Sequence, residues 1–254
     1  VSKYEAPGIR NFEYPENVAS WAGRGQINYG GFSFLGEYVY KFNDPNSDNH
    51  YIYRAGQGVL LSATYSQKGF GINLTAKSID NMHFRANRDA QLNDLFINYL
   101  PALTRQHTYN LATTLYPYAT QPAGEIGIQG DIIYKIKKGS ALGGKYGTTI
   151  QVNVAIINSL DTQQITSPND LDSEVYLPND PSREGYKANL WTFGDKIYYR
   201  DYNIEIDRKF SKSFKLKTSY IYFVANTDVA QGTALGKNVH AHIGVLDGLY
   251  KVSK

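Results

Sequence analysis

The sequence predicts an all-β protein: a transmembrane antiparallel up-and-down β-barrel, of which this chain forms part. Three observations carry that expectation. Apolar and polar residues alternate with period two over long runs, so each run presents one apolar and one polar face. Several runs reach roughly ten to fourteen residues, beyond the five or six usual in globular strands and suited to a tilted bilayer crossing. Tight turns alternate with long polar links, as at the two rims of an outer-membrane barrel.

From Ala19 to Phe42 two runs flank Gly30-Gly31, which suits a two-residue hairpin turn because both positions accept positive φ. Folding there sets Tyr29 against Phe32, Ile27 against Phe34 and Trp21 against Tyr40 on one face. Arg24, Gln26, Asn28, Ser33, Glu37 and Lys41 share the other. In "GVLLSATYSQKGFGINLTAKS" a turn over Ser66 to Gly69 predicts Tyr65 opposite Phe70, Ala63 opposite Ile72 and Leu61 opposite Leu74. Ser62, Thr64, Asn73, Thr75 and Lys77 face the other way.

Further strands are expected over His107 to Tyr116, Glu125 to Lys137, Tyr146 to Asn158, Lys196 to Arg208, Ser213 to Val224 and Asn238 to Lys251, about ten in all. In "GEIGIQGDIIYKIKK", Ile126, Ile128, Ile132, Tyr134 and Ile136 oppose Glu125, Gln129, Asp131, Lys135 and Lys137. In "YNIEIDRKFSKSFKLKTSYIYFV", a turn over Phe210 to Lys212 predicts Asp207 opposite Lys215, Glu205 opposite Lys217 and Asn203 opposite Ser219. It also sets Ile206 against Leu216 and Tyr202 against Tyr220. Opposite charges across antiparallel strands contribute roughly 0.2–1 kcal/mol each. A sheet-stabilising ladder and a selectivity patch on a lumen wall use the same residues. The long links run over 43–57, 80–106, 160–195 and 225–237. Between Ile79 and Lys196 the number of crossings comes out odd, which points to "DLFINYLPAL" or "GYKANLWTFG" as a strand missed or invented.

Composition agrees with this picture. The 254 residues suit one domain, residues 1–254, with no internal repeat and no linker. Aromatics make up 14%, led by 22 tyrosines, the residue type that collects in membrane-interface girdles. A net charge of +3 gives no reason to expect a nucleic-acid partner. No apolar run is long enough for a transmembrane helix. The mean hydropathy of −0.43 is what lipid-facing and lumen-facing residues in alternation produce. With no cysteine, disulfides and thiolate metal sites are out of reach. "VSKYEAPGIR" lacks the charged start and apolar segment of a signal peptide, so a mature, trimmed or partial chain is expected.

Chemistry is sparse. His240 and His242 share one face of the last strand and are weak candidates for a metal, with no third ligand to name. His50, His83 and His107 stand alone. No G-x-S-x-G, H-E-x-x-H or phosphate loop occurs, so no catalytic residue and no cofactor are expected. Arg85, Arg88 and Asp89 form either a charged constriction or a solvated loop. Asn73-Leu74-Thr75 matches a glycosylation acceptor but falls in mid-strand.

The strings "FLGEYVYKFNDP", "GVLLSATYSQKGFGINLTAKSIDNMHFRANR", "FINYLPALTRQHTYNLATTLYPYATQPAGEIGIQGDIIYKI" and "ALGGKYGTTIQVNVA" resemble an uncharacterised outer-membrane β-barrel family of Bacteroidetes. The resemblance covers roughly Trp21 to Asn158. It rests on Gly36-Glu37-Tyr38, Asp80-Asn81-Met82, Tyr99-Leu100-Pro101-Ala102-Leu103-Thr104, Gln106-His107 and the run Leu142 to Gly147. It implies a secreted precursor, an outer-membrane location in a Gram-negative bacterium and a barrel longer than this chain, and it supplies no catalytic residues.

The expectation is therefore a barrel wall. Glu37, Lys41, Lys77, Asp131, Lys135, Glu205, Asp207, Lys215 and Lys217 would face a lumen. Trp21, Phe32, Phe34, Tyr38, Tyr40, Phe214, Tyr220 and Tyr222 would face lipid or form its girdles. The partners would be outer-membrane lipid and other proteins of an envelope complex, and the role either solute passage or a structural subunit. A barrel-embedded hydrolase and a soluble secreted carbohydrate-binding β-sandwich are the alternatives.

Overall fold

The computed structural model describes residues 2–5, 11–46, 48–49, 52–88, 90, 94–97, 101–105, 116–164, 185–231 and 237–252. Period-two patterning yields sheet over most of the described residues. β1 (Ser2–Glu5) and β2 (Asn11–Tyr14) pair with each other. The remaining strands are β3 (Ser20–Tyr29), β4 (Phe32–Lys41), β5 (Gly56–Gln67), β6 (Phe70–Asp80), β7 (Gly124–Ile136), β8 (Thr148–Gln164), β9 (Tyr186–Lys209), β10 (Phe214–Asn226) and β11 (Asn238–Tyr250). They form one nine-stranded antiparallel sheet in chain order. A single turn of helix, α1 (Thr227–Gln231), links the last two. β3 and β11 are the edges, so among the described residues the up-and-down sheet does not close into a barrel. The tight turns after β3, β5 and β9 lie at one rim, and the links after β4, β6, β8 and β10 lie at the other.

The first hairpin pairs as the sequence predicts: Tyr29 with Phe32, Ile27 with Phe34, Trp21 with Tyr40. Gly30 and Gly31 take φ of 55° and 87°, the left-handed pair that matches the twist of the strands.

Two other registers differ from expectation by two residues. In the β5–β6 hairpin only Lys68 and Gly69 form the turn, so Tyr65 faces Ile72, Ala63 faces Leu74 and Leu61 faces Ala76. Gly69, at φ 84°, permits this tighter connection. The β9–β10 turn is wider instead. The Ser211 hydroxyl accepts the amides of Ser213 and Phe214, and the Phe214 carbonyl accepts those of Phe210 and Ser211. Asp207 thus faces Lys217, Glu205 faces Ser219, Ile206 faces Thr218 and Tyr202 faces Tyr222. A slip of two, unlike a slip of one, keeps every side chain on its predicted face.

The odd crossing count also resolves. β6 pairs directly with β7, and of the strand expected over His107 to Tyr116, residues 107–115 lie outside the described residues. "GYKANLWTFG" is the start of β9, whose 24 residues run past the 17 of β8 through register shifts near Asn158 and Leu160. Within "DLFINYLPAL", Phe96 forms an isolated bridge with Arg85, and residues 98–100 lie outside the described residues.

Burial is reversed relative to an ordinary soluble sheet. On the apolar side a row of direct partners crosses all nine strands: Ile27, Phe34, Ala63, Leu74, Gly130, Val154, Tyr202, Tyr222 and His242. Its members in the first strands are open, with Ile27 at 70%, Phe34 at 53% and Leu74 at 53% exposure, while Tyr202 and Tyr222 are half-buried. The buried cluster lies on the opposite face: Leu103, Ile157, Tyr199, Ile221, Phe223 and Ala225.

Candidate functional site

The neighbouring row on the opposite face is polar across seven strands. Asn28, Ser33, Thr64, Asn73, Asp131, Asn153 and Asn203 are successive direct partners. Their side chains bond sideways. The Thr64 hydroxyl donates to Asn73 at 2.8 Å, Asn153 donates to Asp131 at 2.7 Å, and Asn203 donates to Asn153 at 3.1 Å. Past Asn203 the row turns apolar at Ile221 and Ile243.

Two stretches of the β6–β7 connection, Pro101–Arg105 and Tyr116–Ala123, pack on this face. The Lys77 ammonium donates to the Pro101 carbonyl at 2.6 Å and the Thr120 hydroxyl at 2.7 Å, and lies 2.8 Å from Glu125. The other Glu125 oxygen accepts the Tyr118 hydroxyl at 2.5 Å and the Gln121 amide at 2.8 Å. Burial, and then the Glu125 charge, push the Tyr118 hydroxyl far above its ordinary value, so it stays a donor. Arg105 reaches Asn203 at 2.7 Å and Gln151 at 2.5 Å. Leu103 enters the buried cluster, where Tyr116 lies 5.5 Å from Phe223 and Tyr118 stacks 5.2 Å from Tyr199. A second knot at the long-link rim joins Arg54 and Tyr186 to Asp80, with the Tyr186 hydroxyl donating at 2.7 Å.

All nine charged residues assigned to a lumen lie on this polar side, but in three different settings. Lys41 and Lys77 are buried rather than facing open space, because the β6–β7 connection covers them; the Lys41 ammonium donates to the His83 carbonyl. Glu37 pairs loosely with Arg24 at 3.9 Å, Asp131 is half-buried beside Asn153, and Lys135 is exposed. The predicted pairs Lys215–Asp207 and Lys217–Glu205 form at 2.6 and 3.2 Å. They run diagonally, one step from the direct partners, because long side chains span i to j±2.

The eight aromatics fall on the apolar side. Trp21, Phe32, Phe34 and Tyr220 are exposed, while Tyr38, Tyr40, Phe214 and Tyr222 are half-buried against one another or their neighbours. They gather towards the rims. Phe32, Tyr65, Phe70 and Tyr134 form a chain of ring contacts of 4.4 to 6.4 Å at the turn end, and Trp21 meets Tyr38 and Tyr40 at the other. Between them a depression of about 970 Å3 lies on the apolar side over Gly36, Ala63, Ala76 and Gly130, walled by Leu61 and Leu74. Small side chains in adjacent strands leave that hollow.

His240 and His242 lie among these aromatics. Each Nδ1 meets a tyrosine hydroxyl, from Tyr222 at 2.9 Å and Tyr220 at 2.7 Å. Among the described residues no three His, Asp, Glu or Cys side chains converge. Arg85 and Arg88 bind Asp48 and Asp44 at 2.6 and 3.0 Å, tying one connection to another; Asp89, His50 and His107 lie outside the described residues.

Glu125, Tyr118, Arg105 and the Arg54–Asp80–Tyr186 knot are absent from the sequence-derived site. One signal was present: "YIYFVA", Tyr220 to Ala225, is apolar in both phases, the mark of a strand covered on both faces. Nothing in the sequence names the segment that covers it.

Fold and faces define an open antiparallel β-sheet with a largely exposed apolar side and a polar side covered in part by the β6–β7 connection. The chain belongs to the family described as "Family of unknown function (DUF6029)", which matches residues 1–254 and so extends beyond the stretch from Trp21 to Asn158. No curated protein and no solved structure matches it.

Proposed function

We propose that this chain is part of the wall of an outer-membrane β-barrel, its apolar side against lipid and its polar side against a lumen. The observation that carries the reading is the reversed burial. Ile27, Phe34, Leu74, Ile128 and Leu246 are all at least 43% exposed, whereas Asn153 and Asp201 on the other side are 0% exposed. In water such an apolar surface would be a liability; in a bilayer it is the favourable arrangement. From Trp21 to Tyr29 the aromatic-flanked band covers eight residue steps, roughly 26 Å along the strand at about 3.3 Å per residue, which a barrel strand's tilt of about 40° turns into roughly 20 Å of height, most of an apolar belt of about 25 Å. Acyl chains can fill the aliphatic hollow over Gly36 and Gly130.

The edges support a larger wall. β3 and β11 are ten and thirteen residues long and lack proline. Long, regular edges of this kind pair with further strands. In a nine-stranded meander the first and last strands run in the same direction, so antiparallel closure takes an odd number of additional strands. Passage of a polar solute is the role favoured by the ladder from Asn28 to Asn203. A structural subunit of an envelope complex is favoured by the covering at Lys77 and Leu103.

The test is lipid contact. In a Trp191→Phe variant, brominated lipids should quench Trp21 fluorescence when the protein is in vesicles. Fluorescence indifferent to brominated lipid, with the protein soluble without detergent, rejects the barrel reading.

A further inference from the structure

Part of the polar side is covered by the chain itself. Pro101–Arg105 and Tyr116–Ala123 bind the wall through two kinds of contact at once. Leu103 and Tyr116 enter the apolar cluster with Phe223, while Lys77 and Glu125 receive the polar groups. Two of the Lys77 donors go to the covering stretches and one side to Glu125, so the ammonium is satisfied while the covering is seated. With the covering lifted, the same ion pair would lie on a hydrated wall, where exposed pairs persist at little cost. The Lys77–Glu125 ion pair is therefore compatible with two arrangements, one dry and one wet.

Resting on the barrel-wall reading, we propose that Pro101–Arg105 and Tyr116–Ala123 form an internal stopper, closed in this structure, with the Lys77–Glu125 pair as its latch. Glu125 holds the stopper through the Tyr118 hydroxyl and the Gln121 amide, and Lys77 through Pro101 and Thr120. Arg105, bound to Gln151 and Asn203, extends the seal along the polar ladder.

The test is single-channel conductance of the full protein in planar bilayers, every sample carrying Trp191→Phe so that Trp21 quenching by brominated lipid is read on the same protein. Glu125→Gln keeps the side chain's shape and removes the charge that holds the latch. It should raise conductance or opening frequency several-fold over the unaltered protein. A lock gives the converse. A Cβ at Gly127 would stand 3.1 Å from the Leu103 side chain, and the chain has no cysteine of its own. Leu103→Cys with Gly127→Cys should therefore form one disulfide that keeps conductance low even with Glu125→Gln, and reductant should release it. Should Glu125→Gln retain Trp21 quenching yet conduct like the unaltered protein, with the disulfide making no difference, the stopper is refuted and the barrel wall survives. Loss of quenching in the unaltered protein refutes both.

Discussion

Lys77 and Glu125 lie 2.8 Å apart with side chains 4% and 0% exposed, an ion pair shut off from solvent on the polar side of the sheet. Such a pair is costly to half-remove, because the surviving charge stays buried without its partner. Lys77→Met or Glu125→Leu alone should cost about 3–5 kcal/mol, and the double replacement clearly less than the sum. Urea unfolding in detergent micelles measures this. Equal, additive losses below about 1 kcal/mol would show that the pair is hydrated.

Tyr118 makes the protein sensitive to alkali. Its hydroxyl is held above the ordinary value of 10 in the folded chain, while in the unfolded chain it titrates normally. A raised folded value means full stability below pH 10 and loss as pH climbs past it, by up to about 1.4 kcal/mol per pH unit. Tyr118→Phe should flatten that part of the pH–stability curve. An unchanged alkaline slope in the variant would rule Tyr118 out as its source.

Much of this architecture was legible in the alternation. The faces of β3 to β11 and the partners Trp21–Tyr40 and Ile27–Phe34 follow from period two and from Gly30-Gly31. Registers at the other turns were less legible, since Ser66 to Gly69 and Phe210 to Lys212 admit turns of several lengths and only backbone bonds such as those of Ser211 choose among them. The covered polar side was hidden for a different reason. Contacts such as Lys77 to Pro101 and Arg105 to Asn203 join residues far apart in the chain, and no local pattern records them.

The β9–β10 register gives a direct check in a chain without cysteine. Glu205→Cys with Ser219→Cys, direct partners, should form a disulfide on mild oxidation. Asn203→Cys with Ser219→Cys, the partners of the narrower turn, should oxidise poorly. The reverse order of yields would restore the narrower turn.

Gly56 illustrates how closely the connections pack on the wall. A Cβ there would lie 2.3 Å from the Asn81 carbonyl oxygen and 2.9 Å from the Lys41 side chain, whereas one at Gly71 meets nothing within 4 Å. Gly56→Ala should destabilise by about 1–3 kcal/mol, in the range of overpacking, and Gly71→Ala should be neutral or slightly favourable. Thermal unfolding of both variants side by side decides it, and equal midpoints would mean that Asn81 moves freely.

In the proposed barrel wall the apolar side meets lipid and the polar side does not. Leu74 and Asn73 are adjacent in β6 and point to opposite sides. The most direct measurement places a nitroxide at Leu74→Cys and, separately, at Asn73→Cys in vesicle-reconstituted protein, and compares collision rates with oxygen and with a water-soluble nickel chelate. The Leu74 label should collide with oxygen and be shielded from the chelate, and the Asn73 label should show the lower oxygen accessibility of the two. A Leu74 label reached freely by the chelate, with no oxygen preference over Asn73, would contradict it.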